Sequence, residues 1–345
     1  MIGVALIGAG AIGGLRAAAV AKTPGLRLRV VADVRPAAAA QLAEAYGADS
    51  TVDWRVAVGR SDVGLVIIST PPNLHMPVAV AAAAAGKHLL CEKPLAHTLA
   101  DAEQICAAAR AQGVMLKTGF NHRYFPAMRY ARKLIDQGTI GAVVALRAYA
   151  RHPGGAEFGH GWVTDGAITG GGSLIDNGIH ILDLTRFFFG DVTAVKGYTA
   201  NLIWPFERAE DNAYALLRNA NGAIGQVYAS WTEWRGYHFA VEVHGTNGYV
   251  RAAYPPMLVE WGQIAEPGQR ARPRFELFPL FQIRERLQSW RWTIVSSLVA
   301  EQRDLVSAIR AGQQVPPAGD DGLRALQLAH AIYRSAREGG EVLLQ

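Results

Sequence analysis

Asp176 and His180 lie four residues apart in the run GGGSLIDNGIH, which apart from them, Ser173 and Asn177 is glycine, leucine and isoleucine. An imidazole has an ordinary pKa of about 6.5, so it can accept or release a proton near neutral pH. A carboxylate one helical turn away can hydrogen-bond the ring or a ligand and raise the basicity of the imidazole. Leu174 to Phe189 has helical length and periodicity, which places Asp176, His180 and Asp183 at i, i+4 and i+7 on one face. The other positions carry Leu174, Ile175, Ile179, Ile181, Leu182 and Leu184. A solvated face would be broader and richer in Lys and Glu, so this narrow stripe predicts the wall of a cleft with His180 as general base. The plain alternative is a satisfied core histidine with an Asp at the helix start. No HExxH pattern or Cys cluster suggests zinc, and no GxSxG elbow suggests serine hydrolysis.

Two further groups could do chemistry beside it. Lys93, in CEKPL, follows a short apolar run, and the Pro after it restricts its backbone to extended geometry and admits a cis bond. Held there, its ammonium can reach a substrate oxygen; the ordinary alternative is a solvated surface lysine. Near the start, GAGAIG (Gly8, Gly10, Ala11, Ile12, Gly13) sits between a strand signal and a helix signal. Its glycines serve a tight turn, a close approach to a pyrophosphate and close helix–strand packing, and the helix N-terminus offers free N–H groups. Asp33 ends the next strand twenty residues after Gly13, where a carboxylate accepts both ribose hydroxyls of NAD and repels a 2′-phosphate. Arg35, two residues on, keeps NADP open, though NAD is favoured. In STPPNLH (Ser69, Thr70, Pro71, Asn73, His75), Thr70, Asn73 and His75 lie where cofactor ribose or phosphate can be reached. Asn73 also suits a helix N-cap.

The elements that must position these residues are legible along the chain. Residues 2–118 alternate strand and helix signals: IGVALIG, an Ala-rich helix over 11–22, LRLRVVAD, PAAAAQLAEAYG, VGLVIIST, a helix from Leu74 to Ala85, KHLLCE, LADAEQICAAARAQG and VMLKTG. This order predicts a parallel sheet with right-handed crossovers. In such a sheet the residues after the strands, Lys93 included, face the ligand crevice. After about residue 120 the texture changes. A helix is expected over Pro126 to Gln137, a strand over Ala142 to Ala150, the Gly-rich run with its helix, and then strands and turns from Val192 to about Trp261. RNANGAIGQVYASW carries Asn-Gly between two β-rich runs, a hairpin signal. Residues 262–289 have no clear period. Two helices, about 291–311 and 322–337, close the chain, with Asp320 or Asp321 as a cap.

Half of the 345 residues are hydrophobic and 18% are charged, an ordinary globular composition with room for two cores. No secretory leader is readable, and the run from Val78 to Ala85 is far too short to span a bilayer. The two cysteines, Cys91 and Cys106, do not suggest a disulfide framework. The net charge of +5 is modest and scattered, so neither a nucleic-acid nor a membrane partner is expected. A cytoplasmic protein fits best.

In sequence order, GAGAIG, Asp33, STPPNLH, EKP and GGGSLIDNGIHILDL resemble the glucose–fructose oxidoreductase / inositol dehydrogenase / MocA family. The resemblance extends over nearly the whole chain. It implies an α/β protein: a Rossmann domain with a doubly wound parallel sheet over 1–120, and a substrate-binding and oligomerisation domain with a large, open, mostly antiparallel sheet over 121–345. The last helix would be free to pack back on the first domain. The resemblance implies Lys93, Asp176 and His180 as catalytic residues, and places Glu92 and Asn121 at the cofactor. Arg123 and Asn177 belong in the cleft, and Arg151, His152 and Trp162 belong to a variable loop that shapes the substrate pocket. It implies a homodimer or homotetramer through the sheet's outer face. The expected reaction moves hydride between nicotinamide and a secondary alcohol or hemiacetal carbon of a sugar or polyol. His180 takes the hydroxyl proton, Lys93 stabilises the alkoxide and Asp176 orients His180. Two alternatives remain at this stage: an NAD-assisted glycosidase, and a non-catalytic regulator that senses NAD(P) or sugar. Trp162, Trp231 and Trp234 could stack on a sugar ring, and Arg147 or Arg151 could bind an anion; each is equally open to a structural role.

Overall fold

A computed structural model describes residues 1–154, 162–206 and 208–344. The chain divides into two compact units, 1–121 with 285–324, and 122–284 with 325–345. The chain thus leaves the first unit after residue 121 and returns to it over 285–324.

The first unit opens with β1 (Ile2–Ile7), α1 (Ala11–Lys22), β2 (Leu26–Ala32), α2 (Pro36–Ala45), β3 (Asp49–Thr51) and α3 (Trp54–Val58). It continues through β4 (Leu65–Ile68), α4 (His75–Ala84), β5 (His88–Cys91), α5 (Leu99–Ala111) and β6 (Leu116–Thr118). The six strands form one parallel sheet in the order β3-β2-β1-β4-β5-β6. β1 and β4 are apolar throughout because helices cover both faces, the pattern of a buried parallel strand. Val4, Leu6, Leu65 and Ile67 meet Ala17 and Val20 of α1 in its core. The sequence reading missed β3 and α3, which are too short to show a period. The strand order reverses on either side of β1, the point at which such sheets open a ligand crevice beyond the strand ends.

The second unit begins with α6 (Pro126–Asp136), β7 (Val143–Arg151) and the single turn α7 (Gly166–Thr169). A π-helical turn, Leu174–Gly178, leads into α8 (Ile179–Phe189). There follow β8 (Val192–Ala200), β9 (Asn212–Asn219), β10 (Ile224–Ser230), β11 (His238–Gly245), β12 (Gly248–Tyr254), β13 (Leu258–Gln263) and β14 (Arg274–Leu277). The span left unassigned by its sequence thus holds β14 and α9 (Pro279–Gln288). No residue of α9 is buried, which explains why no core-facing stripe marks it. α10 (Arg291–Ala311) belongs to the first unit, where Leu305 and Val306 join the core above. α11 (Gly319–Glu338) and β15 (Val342–Leu343) end the chain. Asp321 reaches back from the first turn of α11 to accept the Ala318 N–H.

The nine-stranded sheet runs β14-β13-β12-β11-β7-β10-β9-β8-β15. Only β10 and β7 pair in parallel; every other pair is antiparallel. The expected Asn-Gly hairpin joins β9 to β10, with Gly222 at φ +82°. β7 shows the alternation of a sheet covered on one side. Leu146, Ala148 and Ala150 are buried on the face that carries α8, while Arg147, Tyr149 and Arg151 point to the opposite face.

Candidate functional site

The first unit builds a cradle for a dinucleotide. Gly8 has φ +101°, and a Cβ there would lie 2.5 Å from the Ser69 carbonyl oxygen. A Cβ on Gly13 would lie 2.1 Å from the Gly8 carbonyl oxygen, so the first turn of α1 can close on β1 only with glycine here. A Cβ on Gly10 would meet nothing within 4 Å, which leaves that backbone open to an approaching phosphate. Gly10 is the N-cap of α1, and neither a side-chain cap nor an acidic residue occupies the first turn. The N–H groups beside Ala11 and Ile12 and the helix dipole therefore face outward for an anion. Ser69 Oγ and Thr70 Oγ1 are buried and lack a hydrogen-bond partner among the described residues. Buried hydroxyls seldom stay orphaned, so this pair fits a ligand's polar atoms. These observations fit NAD.

Asp33 stands at the end of β2. Its Oδ2 accepts the Ala9 N–H at 2.7 Å, and Oδ1 accepts the Arg35 N–H and Nε at 2.9 and 3.0 Å. Although partial burial raises its pKa, the bonds from Arg35 and Ala9 outweigh that and hold the carboxyl below its ordinary range. The carboxylate is thus fixed and charged at the end of β2.

His75, expected at the cofactor, has both ring nitrogens beside backbone carbonyls. It is fully buried, with Nε2 2.9 Å from the Thr70 carbonyl and Nδ1 3.1 and 3.2 Å from the Pro94 and Leu95 carbonyls. Burial lowers its pKa even with those oxygens around it. It clasps the turn after β4 to the turn that holds Lys93. Asn73 is not a cap either: Pro72–Leu74 form a 3₁₀ turn ahead of α4, whose start has no side-chain cap. The Lys93–Pro94 bond is cis.

Glu92, expected at the cofactor, turns inward instead. Its Oε1 accepts Arg16 Nε at 2.5 Å, and Arg16 Nη1 donates to Glu301 of α10. Asn121 donates to Ser297 Oγ at 2.9 Å. Arg16 was not singled out, although an Arg among the small residues of α1 was a signal.

The second unit holds the Asp176–His180 turn. Gly170 closes α7 at φ +87°. A Cβ on Gly171 would lie 2.1 Å from the Tyr333 hydroxyl, and one on Gly172 2.0 Å from the Glu210 carbonyl oxygen. The glycine run is therefore a close passage of backbone. Glu210 then pins it: Oε2 accepts the Gly172 N–H (2.8 Å) and the Tyr333 hydroxyl (3.0 Å), and Oε1 accepts the Leu174 N–H (2.7 Å). Nothing near the run in sequence marks Glu210, because the two are 36 residues apart.

From that anchor the π turn presents Asp176 and Asn177, both half-buried, and α8 presents His180, which is buried. The turn departs from the uniform α-helix expected, and π turns of this kind recur at functional sites. Asp183 does not join an open stripe. Its carboxylate takes Arg123 Nε and Nη2 at 2.7 and 2.6 Å, so Arg123, expected in the cleft, forms a buried ion pair under α8. His122 stacks on His180 with ring centroids 3.8 Å apart. Tyr237 is half-buried, and its desolvation, with the Asp176 charge adding to it, pushes its phenol upward, so it stays neutral. The His152 ring is buried and lies 6.1 Å from Trp231 and 6.5 Å from Tyr237. Trp231 itself is core, against Phe206. Imidazoles, a phenol and one carboxylate among aromatic rings suit proton transfer at a polyhydroxylated ring. His122 and Tyr237 were missed; the only signal for His122 was its place between Asn121 and Arg123.

Arg151 is a correction. The strand's period of two carries it to the sheet face opposite α8, where it pairs with Glu233 at 3.0 Å and packs over Tyr149. Arg147 shares that face near Glu242. Trp162 and Trp234 are exposed. Residues 155–161 of the expected pocket loop lie outside the described residues.

Comparison with known proteins agrees with both halves. Residues 2–120 match the model of an oxidoreductase family with an NAD-binding Rossmann fold, and residues 128–251 match a GFO/IDH/MocA C-terminal domain. Levoglucosan dehydrogenase of Pseudarthrobacter phenanthrenivorans is 30% identical, covering 97% of this chain and 96% of its own. Inositol 2-dehydrogenase of Rhizobium meliloti is 32% identical, covering 98% and 97%. A levoglucosan dehydrogenase solved in complex with NADH superposes with a TM-score of 0.90 at 27% identity, covering 100% of this chain and 99% of that one.

Proposed function

The chain belongs to the GFO/IDH/MocA family of NAD-binding oxidoreductases, and from that premise we propose that it oxidises a secondary alcohol or hemiacetal carbon of a sugar or polyol, or reduces the corresponding carbonyl. The observation that carries the reading is that one chain holds both a glycine cradle ending in Asp33 and, in its second unit, the Asp176–His180 turn. When bound, the nicotinamide supplies the hydride acceptor. His180 takes the hydroxyl proton, Asp176 orients the imidazole and favours its cationic form, and the Lys93 ammonium stabilises negative charge on the reacting oxygen. His152 and Tyr237 would face the ring, and Asn177 and Trp162 remain candidates beside them. The relatives compared are named dehydrogenases, and they lend the glycosidase no support. A sensor would not need Lys93, Asp176 and His180 together.

The test is a panel of inositols, anhydrosugars, aldoses and sugar acids with NAD and NADP, followed at 340 nm. Net NADH formation with one of them is expected. Sugar release without reduced cofactor would overturn the reading. Asp33→Ala should shift the NAD-to-NADP ratio of kcat/KM by about tenfold or more towards NADP, since a fixed carboxylate no longer repels a 2′-phosphate. An unchanged ratio would mean that Asp33 does not read the ribose.

A homo-oligomer through the outer sheet face forms part of this reading. Tyr198, Tyr214, Tyr228 and Tyr149 stand in register across β8, β9, β10 and β7. Beside them, Leu216 and Ile224 are 57% and 62% exposed. Such a contiguous apolar face on a monomer is costly in water. Leu216→Glu with Ile224→Glu should lower the mass in solution to the monomer's, read by light scattering; an unchanged mass would remove this face from the assembly. Among the described residues no helix is long and apolar enough to cross a membrane. The free, buried Cys91 and Cys106 suit the cytoplasm expected from the sequence.

A further inference from the structure

Within the second unit, His180 packs against other rings. Its ring lies against His122 at 3.8 Å between centroids, with 39° between the planes. The His122 ring in turn stacks on Phe239 at 4.5 Å and 15°. Phe125 closes the side at 4.9 Å. All of these rings are buried. Phe239, His122 and His180 thus form a column of three rings, supplied by β11, the segment before α6, and α8.

The geometry of this contact decides its kind. Ring N–H donors and lone pairs lie in the plane of an imidazole, and a face contact at this distance directs neither at the other ring. The contact is π packing and not a proton relay. His122 offers its ring face to whatever charge His180 carries.

We infer that His122 is a positioning residue: it is the platform that fixes the plane of the His180 ring and stabilises the imidazolium formed when His180 accepts the substrate's proton. This rests on His180 as the base. The other titratable and charged groups near His180 are compatible with that role. On its own helix and the turn before it stand Asp176 and Asp183. From the segment ahead of α6, Arg123 is spent on Asp183. From the segment ahead of β11 comes Tyr237, kept neutral by desolvation. Asp176 favours the cation through space, and His122 does so by contact.

The test compares His122→Phe, which keeps a π face without a titratable nitrogen, with His122→Leu and His122→Ala, which do not. Three readouts are needed: kcat and KM, the acid limb of the kcat/KM profile, and the NMR titration of the His180 C2–H in the resting protein. The Phe variant should stay close to wild type in all three. The Leu and Ala variants should lose about tenfold or more in kcat with little change in KM, because the base is no longer held in line. Their acid limb and the His180 titration should both move down by about half to one pH unit as the cation loses its π face. If Leu and Ala match wild type, or if Phe is as impaired as Ala, the inference is overturned. The Phe–Leu comparison decides the matter even if the Ala variant does not fold. The NMR titration separates this from the premise. A His180 pKa that moves as stated, in a protein whose His180→Ala variant keeps full activity, would leave the column intact and remove His180 as the base.

Discussion

Lys93→Met lowers kcat for the physiological substrate by about 10²- to 10⁴-fold while NAD still binds, the range expected when a charge that stabilises a developing alkoxide is removed. Methionine nearly matches lysine in length and apolar bulk, so the change isolates the ammonium. The turn itself should survive, because His75 holds Pro94 and Leu95 through their backbone carbonyls and not through the Lys93 side chain. Binding of NAD is read by quenching of protein fluorescence and turnover at 340 nm. His180→Ala should cost a similar amount. If both groups act on one oxygen, the double variant is hardly slower than the worse single one, since groups that work as a unit are not additive. A Lys93→Met protein with wild-type kcat would remove this residue from the chemistry. A double variant whose loss is the product of the two singles would mean that the groups act independently.

Arg16→Met has the largest expected effect on stability. The guanidinium is wholly buried between Glu92 and Glu301, and the Glu301 side chain is itself inaccessible. Removing the cation leaves a buried carboxylate unpaired, which costs about 3–5 kcal/mol. For a protein of this size that lowers Tm by about 5 °C. Burial already pushes the Glu301 carboxyl above its ordinary range, with Arg16 pulling the other way. Without Arg16 it rises further. A carboxyl raised in the folded state draws stability away as pH climbs above its unfolded value of about 4.3. The deficit of the variant against wild type should therefore be smaller at pH 5 than at pH 8, as read by thermal denaturation. A deficit equal at both values would show that Glu301 carries no such burden. Arg16→Met with Glu301→Leu should recover most of the loss, because an apolar pair of similar volume needs no counter-charge.

Much of this architecture was legible from short-range patterns. The cradle could be read because its parts lie within one βαβ unit. Strand, glycine turn, helix and strand-end Asp33 are local in sequence, and each uses a residue type for a backbone reason. The Asp176–His180 spacing was legible for the same reason. The alternation of β7 was also visible, but not which side α8 would cover. That side decided that Arg151 and Tyr149 face away from the acid–base turn.

The misread residues share one feature: their partners are distant in sequence. His75 looked like a ligand contact because polar residues after a parallel strand usually face the crevice, and only the fold shows its nitrogens spent on carbonyls 19 and 20 residues away. Glu92 and Arg123 were read as site residues from their motifs, whereas Arg16 and Asp183 consume them.

By itself, then, the sequence determined the fold class, the glycine turn and the closeness of Asp176 to His180 along the chain, because propensity, glycine sterics and helical spacing act over a few residues. Only the tertiary structure decided which polar groups are spent on one another, which face of each strand is wet, and which ring lies against His180. Those outcomes depend on desolvation and packing between segments far apart along the chain, and no local pattern encodes them.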